Sequence, residues 1–487
     1  MQSESLSKKV VQGSFWIFSL RIGERLLGLV RLIVVARLLS PNDFGLLGIA
    51  ALITSCLNVF FESGFDQALI HKQEQVEEFL NTAWTVQVLR GGLLFAMVFF
   101  AAPFTARFFQ EPGAIIIIQV FAFTQIIDGL RNIGTIYFRK EIEFKKQFFL
   151  SFLPEVIALI VTIITAFILR SVWALVIGAI TCSLFIVIFS YLLHSYRPKF
   201  EWNLAKMKNL MRFGKWVLGY GILGFLIIQG DDIFVGRILG ATALGLYQMA
   251  YRISNLPATQ ISHVISQVTF PAYAKFQNNI KRLSEAYLRV LEIVAFISFP
   301  LAGLIFTLSH SFTTIFLGEK WLEMVPAMQA LCIFGLARSL SATTGPVFVG
   351  VGKPKIMVKL SSIQLIFLII IIYPLTKQWG IMGTAIATVI PNLITPVLAG
   401  IDVVRITKCR VSNFLKPIII PFSYTMGVLF ITNYIFNYNF GSKILIFIST
   451  LIFYVICYLS IAYIFRNILN YNPLENIEKL LKRNFEQ

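Results

Sequence analysis

The sequence predicts an all-α polytopic membrane protein of about 14 spanning helices: two six-helix lobes and two further C-terminal helices. Three observations carry that prediction. Of 487 residues, 57% are apolar and only 14% charged, with a mean hydropathy of +0.77; soluble domains run nearer half apolar and about a quarter charged. Apolar stretches of roughly 20 residues, enough to cross about 30 Å of hydrocarbon, recur along the whole chain. A segment of the first half also returns in the second at an offset of 200 residues. The composition excludes a long soluble enzyme with one core, a disordered tail and a disulfide-stapled secreted module. The cysteines Cys56, Cys182, Cys332, Cys409 and Cys457 are odd in number and far apart, so they form neither a disulfide framework nor a metal site.

In order, the expected spans are 13–38, 44–70, 79–102, 114–138, 148–169, 172–193, 213–239, 244–271, 287–309, 325–350, 357–376, 380–404, 413–436 and 443–466. Ahead of the first, Lys8 and Lys9 precede a long segment with no A-x-A-like site, which predicts a retained cytoplasmic end rather than a cleaved signal peptide. Very short connections (Ser40–Asp43, Arg170–Ser171, Gly240–Ala243, Lys377–Trp379) alternate with longer basic ones. Leu204, Met207, Leu210 and Met211 repeat at helical spacing, as do Leu474, Ile477 and Leu481. Both stretches suit helices lying on the cytoplasmic membrane surface, or helices packed on neighbouring loops.

The charge sorts by side. The chain carries 42 Lys+Arg against 24 Asp+Glu, a formal net charge of +18. Such a balance would suggest nucleic acid in a soluble protein; here it reports topology. With the N-terminus inside, 28 of the 42 basic residues fall on the N-terminal side, and only Arg107, Arg170, Lys320, Lys377 and Lys443 fall opposite. That asymmetry predicts both ends in the cytoplasm. The remaining nine lie within or at the ends of apolar segments, and all are arginine: Arg21, Arg25, Arg31, Arg37, Arg90, Arg131, Arg237, Arg252 and Arg338. Charges at such depth usually face a cavity or a partner. Arginine offers a planar fork suited to phosphate or carboxylate.

The repeat lays ARLLSPNDFGLLGIA (Ala36–Ala50) on GRILGATALGLYQMA (Gly236–Ala250), with Trp16 on Trp216 upstream. Six helices separate the copies, so they run parallel, as in transporters built of two related halves. The chain accordingly divides into lobes 1–200 and 201–405, two added helices over 406–470 and an amphipathic cytoplasmic tail over 471–487.

Arg21, Glu24, Arg25, Gly28 and Arg31 fall within about 120° of the first helix, opposite a mostly apolar face. One glutamate cannot neutralise three arginines, which favours a cavity stripe for an anionic group over purely structural ion pairs. In the second half, Asp231 and Asp232 stand where the repeat places Arg31 and Leu32. They are candidates for a titratable or cation-coupled gate, or for salt bridges to Arg31 or Arg252. Arg252 is a candidate substrate contact. Glu62 and Asp66 (i, i+4), Arg90, and Asp128 with Arg131 (i, i+3) are secondary cavity candidates, or structural pairs. Arg37 and Arg237, at helix ends, suit capping and anchoring. Enzyme motifs do not occur: Gly350-Val351-Gly352-Lys353 lacks the spacing of a phosphate-binding loop, and His71, His194, His263 and His310 are isolated. No cofactor or metal is expected.

The stretch DDIFVGRILGATALGLYQMAYRISNLP (Asp231 to Pro257) resembles the signature region of bacterial polysaccharide-transporter flippases of the multidrug/oligosaccharidyl-lipid/polysaccharide exporter superfamily. So do ARLLSPNDFG (Ala36 to Gly45), FPAYAKFQ (Phe270 to Gln277), Arg282–Tyr287 and FLGEKW (Phe316 to Trp321). The resemblance implies a V-shaped pair of lobes in the bacterial inner membrane. It also implies flipping of undecaprenyl-pyrophosphate-linked glycan repeats to the outer leaflet by alternating access. Membrane lipids are then partners; H+ or Na+ coupling and association with a polysaccharide polymerase stay open. A multidrug exporter of the same superfamily would handle cations, for which an arginine-lined cavity has the wrong sign. A membrane glycan polymerase or glycosyltransferase would want a long outward loop with paired carboxylates, and only Glu111 or Glu319 stands there. A non-transporting scaffold leaves the arginine stripe unexplained.

Overall fold

A computed structural model describes residues 2–61, 77–141, 143–256, 269, 273–436, 442–466, 468–469, 471–473 and 475. Among these residues every regular element is helical. The first part of the chain carries α1 (Gln2–Leu38), α2 (Pro41–Phe60), α3 (Glu77–Phe109), α4 (Ala114–Phe121), α5 (Phe123–Gly129), α6 (Ile136–Lys140), α7 (Phe144–Leu169) and α8 (Trp173–Leu193). Then follow α9 (Leu204–Ser254), α10 (Ile280–Phe312), α11 (Val325–Ser341), α12 (Gly345–Gly350), α13 (Lys355–Thr407), α14 (Val411–Phe436) and α15 (Lys443–Phe465). Nine helical stretches among the described residues are long and apolar enough to cross a membrane, and the chain is a multi-pass membrane protein.

Helix ends follow local chemistry. Ser40 and Asp43 form a reciprocal capping box at α2, with Pro41 at its first turn. Asp43 Oδ1 also accepts the Val172 amide at 2.9 Å, tying the start of α2 to that of α8. Asn279 and Ser442 cap α10 and α15. The expected turns at Gly240 and Trp379 appear as breaks inside α9 (Gly240, φ 84°) and α13 (Gly380, φ 57°).

Three expectations change. The amphipathic stretch from Leu204 is continuous with the spanning segment, because neither proline nor a left-handed residue interrupts α9 before Gly240. The expected span 114–138 is instead broken into α4, α5, a 3₁₀ turn and α6. There Gln87 Nε2 donates to the carbonyls of Asp128, Gly129 and Arg131 at 3.0–3.3 Å, satisfying groups that a continuous helix would hold internally. The third span is longer than expected and reaches Phe109. Part of the expected surface helix at 474–481 lies outside the described residues.

The chain divides into two compact units, Met1–Gly245 and Leu246–Gln487. In the first, α1 packs on α7, α7 on α8, and α3 on α4 and α5. In the second, α10 packs on α11, α14 and α15, and α11 on α13. Within the first unit the two copies of the repeat meet. A Cβ on Gly45 would fall on the Ala241 carbonyl, and one on Gly245 on the Pro41 carbonyl. Residues 41 and 241, and 45 and 245, are repeat equivalents, so the contact is reciprocal. Thr242 Oγ1 and Asn42 Oδ1, again 200 residues apart, bond at 3.4 Å.

Candidate functional site

Seating α1 against α7 begins with bulk. Trp16 stacks at a tilt on Phe148 (5.2 Å between centroids) and Phe149 (6.0 Å). Gly23 then lets the two helices close, since a Cβ there would lie 2.5 Å from the Phe152 ring. One turn beyond Phe152 comes Glu155, immediately after Pro154 within α7. Close packing therefore delivers a carboxylate to the charged face of α1.

Arg31 Nη2 donates to Glu155 Oε2, with the two side chains 30% and 35% exposed. Glu155 Oε1 accepts from the Cys182 thiol of α8 at 3.8 Å. Glu24 lies within electrostatic reach of Glu155, Arg21 and Arg25. Arg21, Glu24 and Arg25 are exposed on α1. The structure thus brings together the stripe expected from spacing, and adds Glu155. That residue was legible as an acid inside an apolar run, since any ionisable group at membrane depth is a functional candidate. The partnership with Arg31, however, joins positions 124 residues apart.

A second set of polar groups lines the same unit. Asp128 is within reach of Arg131 and hydrogen-bonds Ser183, while Arg131 Nη2 donates to Thr135 at 3.4 Å. Arg90 Nη2 donates to Asn58 Oδ1 at 3.3 Å, and Asn58 in turn donates to Gln125 at 3.1 Å. Arg90 is therefore part of a network across α2, α3 and α5. Asp231 is buried at 3% exposure and Asp232 half-buried; Arg31, one of the two arginines considered as their salt-bridge partner, pairs with Glu155 of α7. Arg237 lies over the Phe108 ring at 5.5 Å, an anchoring role. Arg252 is exposed and belongs to the second unit. Glu62 and Asp66 lie outside the described residues.

Outside the spans, Glu111 serves as a cap: its Oε1 accepts the Ala241 amide at 2.9 Å, where α9 resumes after Gly240. The segment after α8 is strapped to α3, with Asn81 Oδ1 accepting from Tyr196 Oη (2.5 Å) and the Lys199 amide (2.9 Å). His194 stacks on Tyr137 at 5.8 Å. Its burial, followed by Lys146, pushes the imidazole below its ordinary pKa.

An arginine face with a single held acid can bind an oxyanion and replace its hydration. Among the described residues no group of three or more His, Cys, Asp or Glu could hold a metal ion. Residues 34–326 match the family described as "Polysaccharide biosynthesis protein". The chain is 25% identical over 431 residues to the teichuronic acid biosynthesis protein TuaB of Bacillus subtilis, covering 87% of this chain and 89% of that one. It is 23% identical to the lipopolysaccharide biosynthesis protein WzxC of Escherichia coli, covering 88% of each. The fold matches that of the lipid II flippase MurJ (TM-score 0.74, 16% identity), covering 94% of this chain and 99% of that one. It also resembles an inward-facing MATE transporter of the MOP superfamily (TM-score 0.59, 18% identity), covering 80% of this chain and 96% of that one.

Proposed function

We propose a function from one premise: the chain belongs to the polysaccharide biosynthesis protein family. It is a flippase that carries an undecaprenyl-pyrophosphate-linked oligosaccharide repeat unit from the cytoplasmic to the outer leaflet of the bacterial inner membrane. The polymer served is a polysaccharide of the O-antigen, capsule or exopolysaccharide kind. The observation that carries this reading is the charged face of α1, with three arginines and one acid on one side of the helix, met from α7 by a single further carboxylate. Pyrophosphate bearing sugars cannot cross hydrocarbon unaided. Guanidinium groups facing a wet cavity replace its hydration shell, while the polyprenyl tail stays in lipid. The relatives' names, teichuronic acid biosynthesis and lipopolysaccharide biosynthesis, support a role in making a polysaccharide.

In this reading the two six-helix lobes, 1–200 and 201–405, work by alternating access, and both termini are cytoplasmic. Arg21, Arg25, Arg31 and Arg252 contact the pyrophosphate or acidic sugars. Glu24, Asp231 and Asp232 serve as gate or as H+ or Na+ coupling groups, and Glu62, Asp66, Arg90, Asp128 and Arg131 line the path. Export of cationic small molecules is disfavoured by the sign of the arginine face. The test is complementation of a flippase-null strain, with lipid-linked repeat units assayed on each leaflet. Arg25→Ala and Arg31→Ala, made at normal levels, are expected to lower flipping by about tenfold each, as losing a charge-assisted contact of 1.4 kcal/mol would. Wild-type rates in both variants overturn the assignment.

A further inference from the structure

The Arg31–Glu155 pair is incomplete in a way that points to a third participant. Arginine carries five N–H donors in a fork. Here Nη2 reaches one carboxylate oxygen, while Arg31 Nε is buried with no hydrogen-bond partner. The other carboxylate oxygen of Glu155 faces the Cys182 thiol at 3.8 Å, so the contact is one-point where a fork-to-fork pair is available. Both side chains keep about a third of their surface exposed, so an anion can approach them. Pro154 precedes Glu155 and removes a backbone donor from that turn of α7.

We propose that Glu155 is an exchangeable stand-in for the substrate's anionic group. Its carboxylate occupies Arg31 in the empty protein, an incoming pyrophosphate displaces it by engaging the Nε/Nη fork, and its return helps release the product. Glu155 is thus a positioning and specificity residue, acting on substrate through Arg31. The inference rests on the flippase reading and deepens it. A pyrophosphate offers paired oxygens and more negative charge than a carboxylate, so it competes favourably for the guanidinium. A cation or a neutral lipid gains nothing from the exchange. The charge that neutralises Arg31 in the empty protein therefore also selects its ligand.

The test compares binding of farnesyl pyrophosphate and of farnesol to the full-length protein in detergent, by intrinsic fluorescence or thermophoresis. Wild type is expected to prefer the pyrophosphate. Glu155→Gln should tighten farnesyl pyrophosphate about threefold or more by removing the competitor, with farnesol unchanged, while slowing flipping in vesicles. Glu155→Asp should stay within about twofold of wild type, because the competing charge remains. Arg31→Lys, which keeps the charge but loses the fork, should weaken the pyrophosphate about fivefold. It gives an independent reading if the Glu155 variant is not recovered. Unchanged or weaker pyrophosphate binding by Glu155→Gln, or wild-type binding by Arg31→Lys, overturns the exchange and leaves the flippase reading standing. Equal wild-type affinity for the two probes overturns the flippase reading, and the exchange with it.

Discussion

α1 and the first arm of α9 are copies of one repeat, and they differ where charge is concerned. Residues 21, 25 and 31 are arginine, while their equivalents 221, 225 and 231 are glycine, phenylalanine and aspartate. Arg31 is about one-third exposed and paired with Glu155, whereas Asp231 is almost fully buried. Yet around the turns that end these segments the copies coincide: Arg37 with Arg237, Leu39 with Leu239, Gly45 with Gly245. The lesson is a division of labour. Backbone contact between the copies needs small residues on both sides, so the turn regions match. The helix faces are not required to match, and α1 carries a chemistry its copy lacks. The second unit sharpens the contrast, for the buried polar groups of α10, α14 and α15 are hydroxyls such as Ser298, Tyr424, Thr425 and Tyr454.

The strongest way to break this comparison is at the backbone contact. Gly45→Val and Gly245→Val each put a side chain into a carbonyl that cannot move without separating the helices. Each is expected to cost about 3 kcal/mol or more, seen as loss of monodisperse protein in size-exclusion chromatography. Gly92→Ala, where a Cβ meets nothing within 4 Å, should behave as wild type. If Gly45→Val is equally stable, the reciprocal contact is wrong.

The charged face comes next. Arg31→Ala leaves Glu155 without its arginine and should lower stability by about 1–3 kcal/mol given partial exposure, read as a lower melting temperature. Adding Glu155→Gln should recover part of that loss. Arg21→Ala, at an exposed position, should change stability by less than about 0.5 kcal/mol. Equal destabilisation at residues 21 and 31 would mean that the stripe is uniformly structural.

The smallest expected effect lies on the strap after α8. His194 has its pKa lowered by burial and by Lys146, with Arg197 opposing protonation and Glu143 and Glu141 favouring it. The folded state therefore prefers the neutral ring. Its stabilising contribution is complete above the unfolded value of about 6.5 and is lost as the pH falls from there through the lowered folded value. Melting curves of wild type and His194→Gln between pH 7.5 and about 5 should diverge only on the acid side. Parallel curves would remove His194 from the strap.

Helix type and the membrane setting were readable from residues alone. A spanning helix satisfies its own backbone hydrogen bonds and advertises itself by about 20 apolar residues. The breaks at Gly240 and near Trp379 fell where short turns were expected. The fragmentation of 114–138 was not readable, because it depends on Gln87 from another helix reaching three carbonyls. Likewise nothing in the helix of Arg90 announces Asn58, which meets it from α2.

What the sequence by itself determined is the helical, membrane-embedded character of the chain, its 200-residue repeat and the arginine face of α1. These follow from local periodicity and composition, which need no neighbour to be expressed. Only the tertiary structure decided which acid answers which arginine. Pairing between helices depends on how closely they approach, and here Gly23 against Phe152 brings Glu155 to Arg31 across 124 residues of chain. It also decided that the matched glycines of the repeat face each other, a fact that sequence alignment marks but cannot orient.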